Sequence, residues 1–319
     1  MTSRSVLVLG CGVSGLSSGI LLLQAGHAVT IWARELPPHT TSNQAAALWF
    51  PYLAHPIERV GPWASRTLAN FRQHLLPDPA SGCRPTLVQD LYAHPVETPW
   101  WAGAVAGYRR LAASELPAGY VDGFETESVV IDTSVYMDYL VDWFRKLGGV
   151  IVQREVASIE EATLESKLVV NCTGLGSRQL FGDESLYPVR GQTVKVRPNG
   201  VVHSILDDEG PNGLGYIIPR SADIVLGGTA QAGDWDTSVR AADQADILRK
   251  AANLHPAFAS ESGVQVLSAG VGLRPVRHEV RLEAERIGEA TVVHNYGHGG
   301  AGFTLSWGCA EEARMRVEG

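Results

Sequence analysis

The apolar positions of this chain recur with two different periods, and the change from one to the other divides it. Residues 5–9, Ser-Val-Leu-Val-Leu, form a short continuous apolar run and predict a buried first strand. A glycine cluster follows, then residues 13–25 place apolar side chains at helical spacing until Gly26, a residue suited to ending a helix. Residues 28–33 predict a second strand. An amphipathic helix is expected over 60–76, and an irregular or β segment rich in aromatics over 100–131. Residues 136–147 read as a helix closing at Gly148-Gly149, and 149–152 and 168–174 as two further strands. From 187 to 226 the pattern becomes short strands and turns, predicting an antiparallel sheet. A helix at 241–253 comes next, then a return strand over 264–273 and a turn at Arg274-Pro275-Val276-Arg277. A last strand at 291–295 opens onto a glycine-rich stretch and a final helix ending near Met315.

The first glycines, Gly10, Gly12 and Gly15, stand in the G-x-G-x-x-G spacing between a strand and a helix. Each has a separate physical reason: a tight turn, close approach of backbone to a pyrophosphate, and packing of helix on strand. The helix N-terminus behind them, at Val13 and Ser14, aims free amides at phosphate. Arg34 and Glu35 follow the second strand about 20 residues on, where a carboxylate accepts hydrogen bonds from ribose hydroxyls. An arginine there also suits a 2′-phosphate, so the motif alone leaves NADP open beside FAD. The second glycine cluster, Gly297 to Gly302 before a helix, predicts another site for an anion or a polar ring.

At 319 residues the chain is long for one core, and two joined domains are expected. Its composition, 45% hydrophobic and 19% charged, argues against disorder. A net charge of −8 excludes nucleic acid and anionic membrane as main partners. The longest apolar stretch is too short to span a bilayer. No leader or peroxisomal address is legible, and a cytoplasmic location follows as the expectation. Cys11, Cys83, Cys172 and Cys309 lack paired spacing and read as reduced apolar fillers. No metal-ligand set is legible.

The segments GCGVSGL, ARELPPHTTSNQAAALWFPY, NCTG, YIIPR, GLRPVR and HNYGHGGAGFTLSWGCA occur in this order along the chain. Together they resemble the D-amino acid oxidase family of flavoproteins. The resemblance implies an α/β fold, with a doubly wound Rossmann-like FAD-binding domain interleaved with a substrate domain on a large mixed, mainly antiparallel sheet. The FAD-binding domain is expected to comprise 1–55, 137–185 and 285–319, and the substrate domain 56–136 and 186–284.

The resemblance further implies Arg277 on the substrate carboxylate, Tyr216 beside it, and the Gly300 carbonyl on the substrate amino group. Gly10, Gly12, Val13, Ser14, Gly15, Arg34, Glu35, Thr41, Ser42, Ala46, Ala47, Leu48, Val156, Thr173, Gly299, Gly300, Ala301, Gly302, Phe303 and Thr304 are expected to contact FAD. A guanidinium fork matches a carboxylate bidentately, which supports an arginine in the first role.

The implied partners are a small D-amino acid and molecular oxygen, with a homodimer left open. The implied reaction is hydride transfer from the α-carbon to flavin, giving a 2-oxo acid, ammonia and hydrogen peroxide. Neutral, apolar D-amino acids are the expected substrates. At Gly227-Gly228-Thr229 the chain resembles D-aspartate oxidases, but Ala230 and Gln231 follow where those carry an arginine. Arg220 reads as a rim charge. D-aspartate oxidase, glycine or sarcosine oxidase, and a non-catalytic NAD(P)-binding protein are the competing readings. Asn212 stands where vertebrate members carry a lid tyrosine, which puts lid gating in doubt. His298 is expected to hydrogen-bond within its turn rather than act as a base.

Overall fold

The computed structural model describes residues 3–50, 54–99, 101–211, 213–260 and 264–319. Asn212, and Pro51 and Tyr52 of the small-residue segment, lie outside them. The chain opens as expected, with β1 (Ser5–Leu9), α1 (Val13–Gln24) and β2 (Ala28–Ala33). β1 is buried after its first residue, because parallel strands on both sides and helices over it leave no wet face. α1 sits close against β1 because residue 15 is glycine. A Cβ there would stand 2.0 Å from the Gly10 carbonyl oxygen.

The middle of the chain carries α2 (Ile57–Asn70), β3 (Cys83–Tyr92), β4 (Arg109–Arg110), β5 (Asp122–Ile131) and α3 (Thr133–Lys146). The helix expected over 60–76 is α2 followed by a wider turn at Phe71–Leu75. α3 starts three residues earlier than its periodicity indicates, because Asp132 caps it by accepting from the Ser134 amide at 3.3 Å. β3 has no counterpart in the sequence reading. Its burial does not alternate cleanly, and it holds a proline and a buried aspartate, Asp90.

β6 (Val150–Gln153), α4 (Ile159–Glu165), β7 (Leu168–Asn171) and α5 (Ser177–Leu180) complete the first half. The second half follows with β8 (Tyr187–Val196), β9 (Ser204–Glu209), β10 (Gly215–Pro219), β11 (Ile224–Gly227), β12 (Gln231–Ala232) and α6 (Ala241–Leu254). β13 (Val266–Ile287), β14 (Ala290–His298) and α7 (Gly302–Glu318) end it.

The expected turn at Arg274 to Arg277 is not a turn. Those residues lie inside β13, a 22-residue strand paired with β8 as far as Val276 and with β14 beyond. Pro275, within the expected turn, faces Pro188 across the β8–β13 pair.

Among the described residues the strands form one mixed sheet in the order β4-β5-β3-β9-β10-β11-β8-β13-β14-β7-β1-β2-β6, with β12 on β8. The segment β14-β7-β1-β2-β6 is parallel throughout, as a doubly wound unit requires. From β8 to β10 and across β13 it is antiparallel. Two of the expected domain divisions, after residues 136 and 284, fall inside α3 and β13, so no element ends there.

The larger core packs α1, α2, α3 and α7 over the parallel strands, through Leu16, Ile20, Trp63, Phe144 and Trp307. The Trp307 indole donates to the Tyr136 hydroxyl at 2.9 Å, which satisfies its one polar atom. A second core lies between α6 and the antiparallel strands, through Val194, Ile217, Leu226, Ile247 and Leu254. Fully burying such an aliphatic side chain contributes about 1.5–3 kcal/mol.

Candidate active site

One cavity of about 750 Å³ runs from the carboxyl ends of β1 and β2 to the faces of β8, β10 and β13. That is the place where an open parallel sheet binds ligands, and the size suits a large cofactor with a small substrate. Two helices open their N-termini into it. α1 enters through Gly12, Val13 and Ser14, and α7 through Gly302 and Phe303. Neither N-cap residue supplies a side-chain cap, so the first-turn amides other than Val13 stay available for anionic or carbonyl oxygens. The Val13 amide meets the Ser42 hydroxyl at 3.0 Å, which places Ser42 at the phosphate end.

The wall between the two helices is small and flat. Thr41 and Ser42 begin a single turn that leads into Ala46, Ala47 and Leu48, all lining the cavity. Ala47 exchanges backbone hydrogen bonds with Ile131, at 3.3 and 2.9 Å. Arg220 donates to the Ala46 carbonyl at 3.3 Å and pairs with Asp223 at 2.7 Å. Arg220 is therefore no rim charge. It is 5% exposed, and its charge is spent on holding this segment in place.

Arg34, Glu35, Val156, Thr173, Gly299 and Gly300 also line the cavity. Arg34 and Glu35 are exposed at its mouth, 3.4 Å apart, with Arg34 also 3.5 Å from Glu155. Three expected cofactor residues do not line it. Gly15 packs α1 on β1, Ala301 is fully buried at the start of α7, and the Thr304 hydroxyl exchanges hydrogen bonds with the Phe50 backbone at 2.8 and 3.1 Å. His298 is buried, and its Nε2 lies 3.0 Å from the Asn295 side-chain oxygen. Burial pushes its pKa down to about 4, so the ring is neutral and positions its turn.

At the far end the structure brings Tyr216 together with Arg274 and not with Arg277. Arg277 does not line the cavity. Its Nε is 3.0 Å from Asp183, which also accepts from the Tyr296 hydroxyl at 2.8 Å. Burial works against ionisation of Asp183, but hydrogen bonds from Ser185, Tyr296 and Arg277 and the Arg277 charge hold its pKa at about 2. The physical reason is strand phase. Two residues three apart in a strand face opposite sides, and it is Arg274 that faces inward.

Arg274 donates to the Thr229 carbonyl at 3.1 Å and to the Tyr216 hydroxyl, and among the described residues it has no ion-pair partner. Burial raises the Tyr216 pKa, opposed by the charge and hydrogen bond of Arg274, so the phenol stays protonated and able to donate. Both side chains lie over glycines. A Cβ on Gly191 would stand 2.3 Å from the Arg274 guanidinium, and one on Gly227 would stand 1.9 Å from the Tyr216 ring. Neither Pro188-Val189-Arg190-Gly191 in β8 nor Ile224-Val225-Leu226-Gly227 in β11 carries a visible signal of this, because the contact is made across strands.

Asp208 and Leu206, neither singled out from the sequence, line the same end. Among the described residues no group of three His, Cys, Asp or Glu side chains could hold a metal ion, and no helix is long and apolar enough to cross a membrane. The four cysteines are buried and unpaired. The cavity fits FAD: two uncapped helix N-termini and a small-residue wall would hold its diphosphate and ring, with Glu35 at the ribose.

The D-amino-acid oxidase of Dictyostelium discoideum is 47% identical over 320 residues, which cover 98% of this chain and 91% of that protein. The D-amino-acid oxidase of Rubrobacter xylanophilus is 47% identical over 315 residues, covering 98% and 95%. Among solved structures, the glycine oxidase of Geobacillus kaustophilus superposes with a TM-score of 0.82 over 99% of this chain and 95% of that one. At 18% identity it speaks for the fold alone. The profile of the family described as "DAO: FAD dependent oxidoreductase" matches residues 5–315, and the chain belongs to that family.

Proposed function

We propose that this protein is a D-amino acid oxidase, removing the α-hydrogen and amino group of a D-amino acid to give a 2-oxo acid and ammonia. The observation that carries the reading is Arg274: a cation without an ionic partner among the described residues, directed with Tyr216 into the end of an FAD-sized cavity. Such a guanidinium calls for an anion, and a substrate α-carboxylate supplies one. The Gly300 carbonyl, in the same lining, would accept from the substrate amino group. Held at both points, the α-carbon keeps one hydrogen turned toward the flavin position, which is orientation rather than acid–base work. What FAD supplies when bound is an acceptor for that hydrogen as hydride, with oxygen the final acceptor and hydrogen peroxide the product.

No catalytic base is needed, because the neutral amine's own lone pair forms the imine as hydride leaves. His298 is neutral, buried and turned to Asn295, in keeping with that. The amides of Gly302 and Phe303 would stabilise negative charge at the nearby end of the flavin ring. Glycine oxidases share the fold, but the two 47% identical relatives are named D-amino-acid oxidases, which favours that reading.

The test is anaerobic bleaching of the yellow holoprotein by D- and L-amino acids. D-isomers should bleach it and L-isomers should not, because the same two clamps turn the L α-hydrogen away. A protein that no D-amino acid bleaches is not this enzyme.

A further inference from the structure

The substrate end of the cavity holds a second charged group beside Arg274. Leu206 and Asp208 of β9 both line it, while Asp207 between them faces the other way and accepts from the Tyr120 hydroxyl at 2.5 Å. Leu206 pairs with Tyr216 across β9 and β10, so Asp208 is the diagonal neighbour of the tyrosine. Diagonal neighbours stand about 7–8 Å apart, roughly the reach of a long aliphatic side chain. Leu214 and Ile218 flank Tyr216 in the same lining. Among the described residues the Asp208 carboxylate has neither a hydrogen bond nor an ion-pair partner, and Arg274 acts on it only at a distance.

We propose that Asp208 is a specificity-determining residue: it selects D-amino acids whose side chain ends in a cation, such as D-ornithine, D-lysine or D-arginine, over uncharged chains of the same length. This rests on the D-amino acid reading above. With the α-carboxylate on Arg274 and Tyr216, the aliphatic stem runs over Leu206, Leu214 and Ile218, and its end meets Asp208. A half-buried carboxylate without a partner is costly, and a substrate cation offsets that cost in the complex.

The surroundings favour the same sign. Burial pushes the Asp208 pKa up to about 7, with Asp207 and Glu209 adding to the rise and Arg274 opposing it. Behind it, buried Asp90 is pushed up to about 8, by burial first and by Asp208 next. A cation arriving here favours the ionised Asp208, a neutral side chain leaves it protonated, and an acidic one meets like charge.

The experiment compares kcat/KM for D-lysine and D-norleucine, which has the same stem without the ammonium. It is run on the holoenzyme and on Asp208→Asn and Asp208→Glu, with bound flavin read by absorbance to confirm a loaded site. D-Lysine should exceed D-norleucine in the parent, and Asp208→Asn should lower the ratio by about tenfold or more, the weight of one pKa unit of interaction. Asp208→Glu should keep the ratio above that of the asparagine variant. A parent that prefers D-norleucine, or a ratio that moves less than about twofold in Asp208→Asn, overturns the proposal. Failure of every D-amino acid to bleach the parent would instead overturn the oxidase reading itself.

Discussion

At the scale of single residues, the separation of Arg274 from Arg277 gives opposite expectations for two similar substitutions. Arg274→Met leaves a bound carboxylate without its countercharge, which should cost about 3–5 kcal/mol of transition-state binding, or about 10²–10⁴-fold in kcat/KM. Bound flavin should stay, since Arg274 lies on the substrate side. Arg277→Met should keep kcat/KM for the best D-amino acid within about threefold, a change worth less than 1 kcal/mol. Its effect belongs to stability, through Asp183. A carboxylate whose pKa is held at about 2 stabilises the fold above its unfolded value of about 3.9 and loses that contribution as pH falls through its folded value. Denaturation midpoints should therefore show Arg277→Met weaker than the parent at neutral pH, with the gap closing between pH 4 and 2.

His298 works in another window. Its folded pKa is lowered to about 4, so protonation of the unfolded chain draws stability down as pH falls from about 6.5. His298→Asn should show a shallower decline between pH 6.5 and 4 in the same titration.

At the scale of elements, the parts legible in the sequence are those whose cause is local. β1, the α1 glycines and β2 are set by a dozen neighbouring residues, and the glycine-rich approach to α7 is equally self-contained. What escaped depends on partners far along the chain. β13 reads as a strand and a turn until its neighbours are known, and β8 fixes its phase residue by residue from Tyr187 to Lys195. That phase alone decides which arginine faces inward. Asp208 escaped for a similar reason. In sequence it is the second of three consecutive acids, and only the β9 pairing turns it toward Tyr216 and Asp207 away. Gly15 shows how strictly a local feature binds an element. Gly15→Ala places a methyl against the Gly10 carbonyl, so α1 must move off β1, and overpacking of this kind typically costs about 1–3 kcal/mol. The variant should purify with less flavin and a lower thermal midpoint, whereas an unshifted midpoint would show that α1 tolerates displacement.

At the scale of the molecule, the two expected domains share one sheet, and β13 belongs to both. Cofactor and substrate regions should then gain stability together. FAD at about 100 times its dissociation constant adds about 2.7 kcal/mol to the folded state. Hydrogen exchange should slow in β8 and β10 as well as in β1 and β2 on adding FAD; protection confined to the parallel strands would contradict this coupling.

The Gly299 amide donates to the Pro275 carbonyl at 2.9 Å, tying the turn before α7 to the residue next to Arg274. The interval between the two proposed grips on a substrate is thus gauged by main-chain hydrogen bonds, which are indifferent to side-chain identity. A lineage built on this frame can exchange the residues that judge a substrate's outer end while the geometry of oxidation is inherited intact.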